Sequence, residues 1–429
     1  MIENWLQQNR EWLIRIAGRL IAIPSENRPP HGAELPVQLV LQEELEALGF
    51  ECERYDLHTV EGLQAHPAYW PGRDYGGRPN LFARKAGKGG GKSLLFSGHA
   101  DVVIGSRGGR FSPFTPIVEG NRLYGRGSND MKGGMAAVLF AFHYLKMHRV
   151  ELRGDVLFES VVDEEMGGAN GTLAGRLGGF HADAAIIPEP SNLQVCTSHL
   201  GGVMWRITVH GKGGMGFGGE KVCNPLYGLA RIISEIERYQ EEMEKSAPPN
   251  TPGPIPGTKP NVVLSKVQAG DYEPGMADGV PERCFLEVWV ESYPGQTFDD
   301  LDRTFGGRIR SLSEQPGMET YRMEWEQITR FIPGTYAESE LADLLVELRI
   351  KDGAPEAKPE MAPFACDAFI FNDYSTTPSV IFGPVGENAH APDEFVDLDS
   401  LMRLTKHYIQ AILQWCSQMN IPEKGGNVQ

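Results

Sequence analysis

Positive charge is in short supply in this chain. Forty Lys and Arg stand against 57 Asp and Glu, a net charge of −17. A nucleic acid or an anionic membrane needs a basic face on its partner, so neither is expected as one. Long apolar runs are missing as well, and no stretch of about 18 apolar residues offers a membrane span. The first residues, MIENWLQQNREWLIRIAGRL, lack a basic segment followed by an apolar one, so no signal peptide is expected. Cysteine is sparse and scattered, at Cys52, Cys196, Cys223, Cys284, Cys366 and Cys416, with no C-x-x-C pair. That spacing argues against a disulfide framework or a zinc knuckle and for reduced thiols in the cytoplasm.

What the chain does have is length and punctuation. Its 429 residues can bury a sizeable core and are expected to divide into domains, and 51 Gly with 30 Pro imply many turns. Residues 94–103, LLFSGHADVV, organise the reading. The apolar run is a buried strand that Ser97-Gly98 break. His99 and Asp101, two apart, then point the same way. An imidazole beside a carboxylate is a common arrangement at a metal, but a lone H-x-D is equally a structural histidine next to a solvated acid.

Other segments end in the same manner. Residues 155–162 (DVLFESVV) form a strand running into Asp163-Glu164-Glu165, and 182–187 (ADAAII) one running into Pro188-Glu189. Residues 378–382 (PSVIF) lead to a loop carrying His390, and the turn 125–132 (GRGSNDMK) places Asp130 at the entrance of an apolar helix, a capping position. Short, continuously apolar strands predict a mostly parallel sheet flanked by helices. Ligands bind such sheets beyond the strands' carboxyl ends. His99, Glu164, Glu165, Glu189, His390 and Asp130 would all arrive there. Clustered carboxylates repel one another unless a cation offsets them, and mixed His and carboxylate ligands suit zinc, cobalt or manganese.

Elsewhere, residues 1–24 and 34–48 read as helices, with Gly49 closing the second. Between residues 200 and 327 the character changes. Strands at 203–209, 262–267 and 284–291 and helices at 224–239 and 298–312 describe a small α+β domain, interrupted by a Pro-rich linker at 247–259. It is inserted between catalytic segments 1–199 and 328–429. The latter holds helices at 337–349 and 399–419, and residues 421–429 read as a disordered tail.

In order and content, SGHADVV (97–103), GRGSNDMKGG (125–134), VVDEEMGG (161–168), IPEPS (187–191), CDA (366–368) and FGPVGENAHAPDEFV (382–396) resemble the M20 family of metal-dependent peptidases and deacylases. The resemblance implies an α/β catalytic domain with an inserted α+β lid that pairs into a homodimer. It implies two divalent metals, zinc by preference, bridged by Asp130, with His99 and Glu189 at one and Glu165 and His390 at the other. Glu164 would be the general base, Asp101 the orienting partner of His99, and the Asp130–Met131 peptide cis. The implied reaction is hydrolysis of an amide in a small N-acyl compound, a deacylase, with a dipeptidase or carboxypeptidase as the alternative.

The lid departs from the family pattern. Met215 stands where a hydrogen-bonding His is usual, and a thioether cannot donate; loss of one such oxyanion donor costs roughly 2.7–4 kcal/mol in other enzymes. His210, His199, Lys212 or a backbone N–H would have to substitute, or hydrolysis is altered or lost. Glu291 stands where an Arg often binds the substrate carboxylate, which reverses the charge. The usual Asn before the lid's V-P is also missing, from ADGVP (277–281). An amine-bearing or neutral substrate is therefore expected, unless Glu291 faces solvent.

Overall fold

A computed structural model describes residues 2–106, 108–167, 169–246, 253, 259–270 and 279–418. Most of the Pro-rich linker and the whole 421–429 tail lie outside the described residues. The chain divides into two compact units, Met1–Ser198 with Tyr336–Ala362 and Asp367–Gln429, and His199–Thr335 with Pro363–Cys366.

The larger unit is built on an eight-stranded sheet. Its centre is parallel, with Val156–Val161, Leu94–His99, Ala184–Ile187 and Ser379–Ile381 side by side in that order. Antiparallel strands flank that centre, Asn80–Lys85 and Glu51–Tyr55 on one side and Cys196–His199 on the other, so the sheet as a whole is mixed. Every residue of Leu94–His99 and of Val156–Val161 is buried, as strands covered on both faces must be. Successive side chains take opposite faces. Phe96 packs edge-on to Phe142 of helix Lys132–Met147 and to Tyr408 of helix Leu398–Trp415. Its neighbour Ser97 donates to Glu159 at 2.6 Å, and Glu159 pairs with Arg176 of helix Asn170–Leu177. The N-terminal segment is two helices, Ile2–Gln8 and Arg10–Ile21, where one was expected.

In the smaller unit, four antiparallel strands run in the order Val262–Ala269, Arg283–Ser292, Gly201–His210, Arg322–Phe331. Val203, Trp205, Ile207 and Val209 alternate inward and join Leu286, Val288, Ile232 and Phe305 in one core. Helix Pro225–Lys245 is capped by the Asn224 side chain. The expected helix at 298–312 is three short turns, with a π-turn at Asp302–Gly306. The last strand, Arg322–Phe331, crosses the expected boundary near 327, and the unit continues to Thr335.

Candidate active site

His99 ends its strand fully buried. Its Nδ1 donates to the main-chain oxygen of Asp101 at 2.9 Å, which turns Nε2 toward the neighbouring acids. That Nε2 lies 3.1 Å from Asp130 Oδ1, 3.4 Å from Glu189 Oε1 and 3.9 Å from Glu164 Oε2. The second oxygen of Asp130 lies 3.1 Å from His390 Nε2, which is itself 2.8 Å from Glu165 Oε2. Two ligand-type groups result, His99–Asp130–Glu189 and Asp130–Glu165–His390, each with its atoms within 4.8 Å of one another and both sharing Asp130.

Backbone detail delivers these groups. Asp130 was expected to cap the helix that follows, but Met131 holds the N-cap position and no side chain caps there. The Asp130–Met131 peptide is cis. A Cβ on Gly134 would sit 2.2 Å from the Pro188 carbonyl oxygen, so only glycine lets the start of this helix touch the segment that carries Glu189. His390 holds φ +62°, a left-handed value that a non-glycine residue adopts only when its surroundings impose it.

Electrostatically the cluster is crowded with negative charge. Burial, the negative charge of Glu189 and that of Asp367 raise the Glu164 carboxyl well above its ordinary range, against the pull of His99. Burial and Asp130 push Glu189 up to about 8, and burial raises Glu165 as well. Burial would raise Asp130 too, but hydrogen bonds from His390 and His99 overcome it and hold that carboxyl low.

Asp101 supports the site differently from expectation. Its carboxylate lies 3.7 Å from His99 Nδ1, beyond hydrogen-bond reach, and the main-chain oxygen orients the ring. The carboxylate instead accepts the backbone N–H groups of Glu164 (3.2 Å) and Glu165 (3.0 Å) and the amide of Asn27 (2.8 Å). Asn27 also reaches Asp163, which accepts the Tyr75 hydroxyl at 2.7 Å and lies 3.4 Å from Arg73 Nε. Arg78, paired to Glu34 through two hydrogen bonds, completes this buried layer. Sequence reasoning assigned no site role to Asn27 or Tyr75.

Met215 and Glu291 lie in the smaller unit. Met215 is 57% exposed on a glycine-rich loop. Glu291 is half-buried, and its carboxylate accepts the Asn261 N–H at 2.7 Å and lies 3.4 Å from the Trp289 indole nitrogen, so it does not simply face solvent. Of the two histidines weighed as substitutes for Met215, His199 is buried with Nδ1 on the Leu200 carbonyl, and His210 lies 3.0 Å from Glu324.

Four carboxylates and two imidazoles converging within such distances, with each histidine turned so that Nε2 faces the acids, suit hard-to-borderline divalent cations. The donor set therefore fits a pair of metals that share Asp130.

A mixed sheet with acids and histidines gathered past its parallel strands is the architecture of a metal-type hydrolase. The chain matches Peptidase family M20/M25/M40 over residues 95–414 and belongs to that family; it is an amidohydrolase acting on carbon–nitrogen bonds. It is 28% identical to the N-formyl-4-amino-5-aminomethyl-2-methylpyrimidine deformylase of Bacillus subtilis (strain 168), with 97% of each chain aligned. In fold it is similar to human carnosine dipeptidase 1, with a TM-score of 0.73 at 15% identity, covering 97% of this chain and 99% of that one. It is also similar to the Bacillus subtilis YXEP protein, a dinuclear metal-binding peptidase of the M20 family, with a TM-score of 0.58 at 16% identity, covering 96% and 100%.

Proposed function

We propose that the chain removes an acyl group, of the formyl class, from a small amine, with the larger unit as catalytic domain and the smaller as lid. The observation that carries this is the Asp130 carboxylate turning one oxygen to His99 and the other to His390, with Glu164 beside His99. His99 and Glu189 would hold one divalent ion, Glu165 and His390 the other, and zinc is the metal assigned to this mixed donor set. When bound, such ions acidify water and polarise the scissile carbonyl. Glu164 takes the proton of the attacking water and returns it to the leaving amine, acting first as base and then as acid. Asp101 fixes the backbone of Glu164 and Glu165, so base and ligand keep their spacing.

The substrate class rests on the similarity to the pyrimidine deformylase and on the smaller unit's lack of a cation at position 291. In the family pattern an Arg at that position meets the substrate carboxylate, and Glu291 reverses its charge, which disfavours dipeptides and N-acyl amino acids. A dipeptidase is the second reading, favoured by the likeness in fold to human carnosine dipeptidase 1. The exposed edge strand Val262–Ala269 supports a homodimer through the smaller unit, and six scattered cysteines with no C-x-x-C pair fit a cytoplasmic enzyme. Assaying N-formyl aminomethylpyrimidines, N-acyl amines, N-acyl amino acids and dipeptides with added zinc, cobalt or manganese tests the proposal. Faster cleavage of the acids or dipeptides than of the formyl amines overturns the substrate class.

A further inference from the structure

Glu394, four residues beyond His390, is 2% exposed and lies behind the carboxylate cluster. Its two oxygens take four hydrogen bonds. Oε1 accepts the backbone N–H of Asn129 at 2.9 Å and of Asp130 at 3.1 Å. Oε2 accepts the N–H of Gly127 at 2.9 Å and the guanidinium of Arg126 at 2.5 Å. The main-chain oxygen of Glu394 accepts the Gly125 N–H at 2.9 Å. One residue thus gathers the whole turn that presents Asp130. Arg126 returns to the same segment by donating to the Ala391 carbonyl at 3.2 Å.

The choice of a carboxylate here is informative. A further buried anion beside four acids is unfavourable unless the position needs a group that only accepts. Three converging N–H groups and a guanidinium are such a need. A glutamine would turn an NH₂ toward one of them.

We infer that Glu394 is a positioning residue for the second metal site, binding the Asp130 turn to the segment that carries His390 so that the two ligands are set in register. The inference rests on the two-metal reading above. It also places the registration outside the ligand set, in a residue that touches neither substrate nor ion.

The test is metal binding by the full chain, stripped with a chelator and titrated with cobalt(II) and zinc(II), for wild type, Glu394→Gln and Glu394→Asp. Loss of a residue that orients ligands typically weakens metal binding by about 10–100-fold. That loss is expected for the second equivalent in Glu394→Gln, with an altered visible spectrum of the second cobalt and native circular dichroism of the metal-free protein. Glu394→Asp, which keeps the charge, should recover part of the affinity. Unchanged second-equivalent affinity and spectrum in Glu394→Gln overturn the inference. So does unfolding of both metal-free variants, which would make Glu394 an anchor of the fold alone. A wild-type chain that takes up no second equivalent overturns the two-metal reading itself, and this inference with it.

Discussion

The carboxylate of Asp101 accepts the backbone N–H of Glu164 at 3.2 Å. A residue read from sequence as a support for the neighbouring histidine thus sets the loop that carries both the proposed base and a proposed ligand. Asp101→Asn keeps the shape and puts an NH₂ against backbone donors. Its metal affinity should fall by about 10–100-fold with the fold intact, measurable by chelator competition. Affinity equal to wild type would show that the loop holds its geometry without Asp101.

Glu164 should separate binding from chemistry. Glu164→Gln is expected to lower kcat by about 10²–10⁴-fold, the usual worth of a positioned acid–base group, with metal content unchanged. Steady-state kinetics beside elemental analysis check this. Full activity in the variant would remove Glu164 from the mechanism.

The Glu34–Arg78 pair underlies the site from a distance. Both side chains are at most 2% exposed, and Arg78 also lies 3.8 Å from Asp163. Removing one partner of a buried pair strands the other, so Arg78→Met should cost about 3–5 kcal/mol. Denaturant unfolding reads this directly, and a loss under 1 kcal/mol (roughly the value of a surface pair) contradicts it.

Much of this architecture is legible in the sequence, and the failures have physical causes. The run Leu94–Phe96 announces its strand because burial on both faces demands apolar residues, although the strand continues to His99 through Ser97 and Gly98, which were expected to break it. The acidic ends of such strands then locate the site. Strand Arg322–Phe331 went unread because its Met323–Trp325 alternation breaks at Ile328, where the register with Gly201–His210 shifts. The helix at 298–312 was read as regular because a π-turn at 302–306 keeps a helical apolar pattern while breaking the hydrogen-bond ladder. Asp130 looked like a cap because an acid before an apolar helix usually is one. Its carboxylate is taken by His99 and His390 instead, which only the folded chain reveals. Asn27 and Tyr75 act through contacts distant in sequence, for which local pattern carries no signal.

Glu291 gives a prediction in pH. Burial raises its carboxyl from 4.5 to about 7, against the Asn261 N–H that favours the charged form. The folded state therefore holds this proton more tightly than the unfolded chain. The stability it contributes is full below about 4.5 and is lost as pH rises through about 7. Glu291→Gln removes the titration, so its Tm relative to wild type should rise between about pH 5 and about pH 8. A constant Tm difference across that window contradicts the assignment.

The central claim is that Asp130 is shared by two metal ions, and metal stoichiometry tests it most directly. Wild-type protein loaded with zinc and freed of excess should carry two ions per chain by elemental analysis. Asp130→Ala should carry fewer and show no hydrolysis. Full hydrolysis by a metal-free chain, or two tightly held ions in Asp130→Ala, would contradict the account.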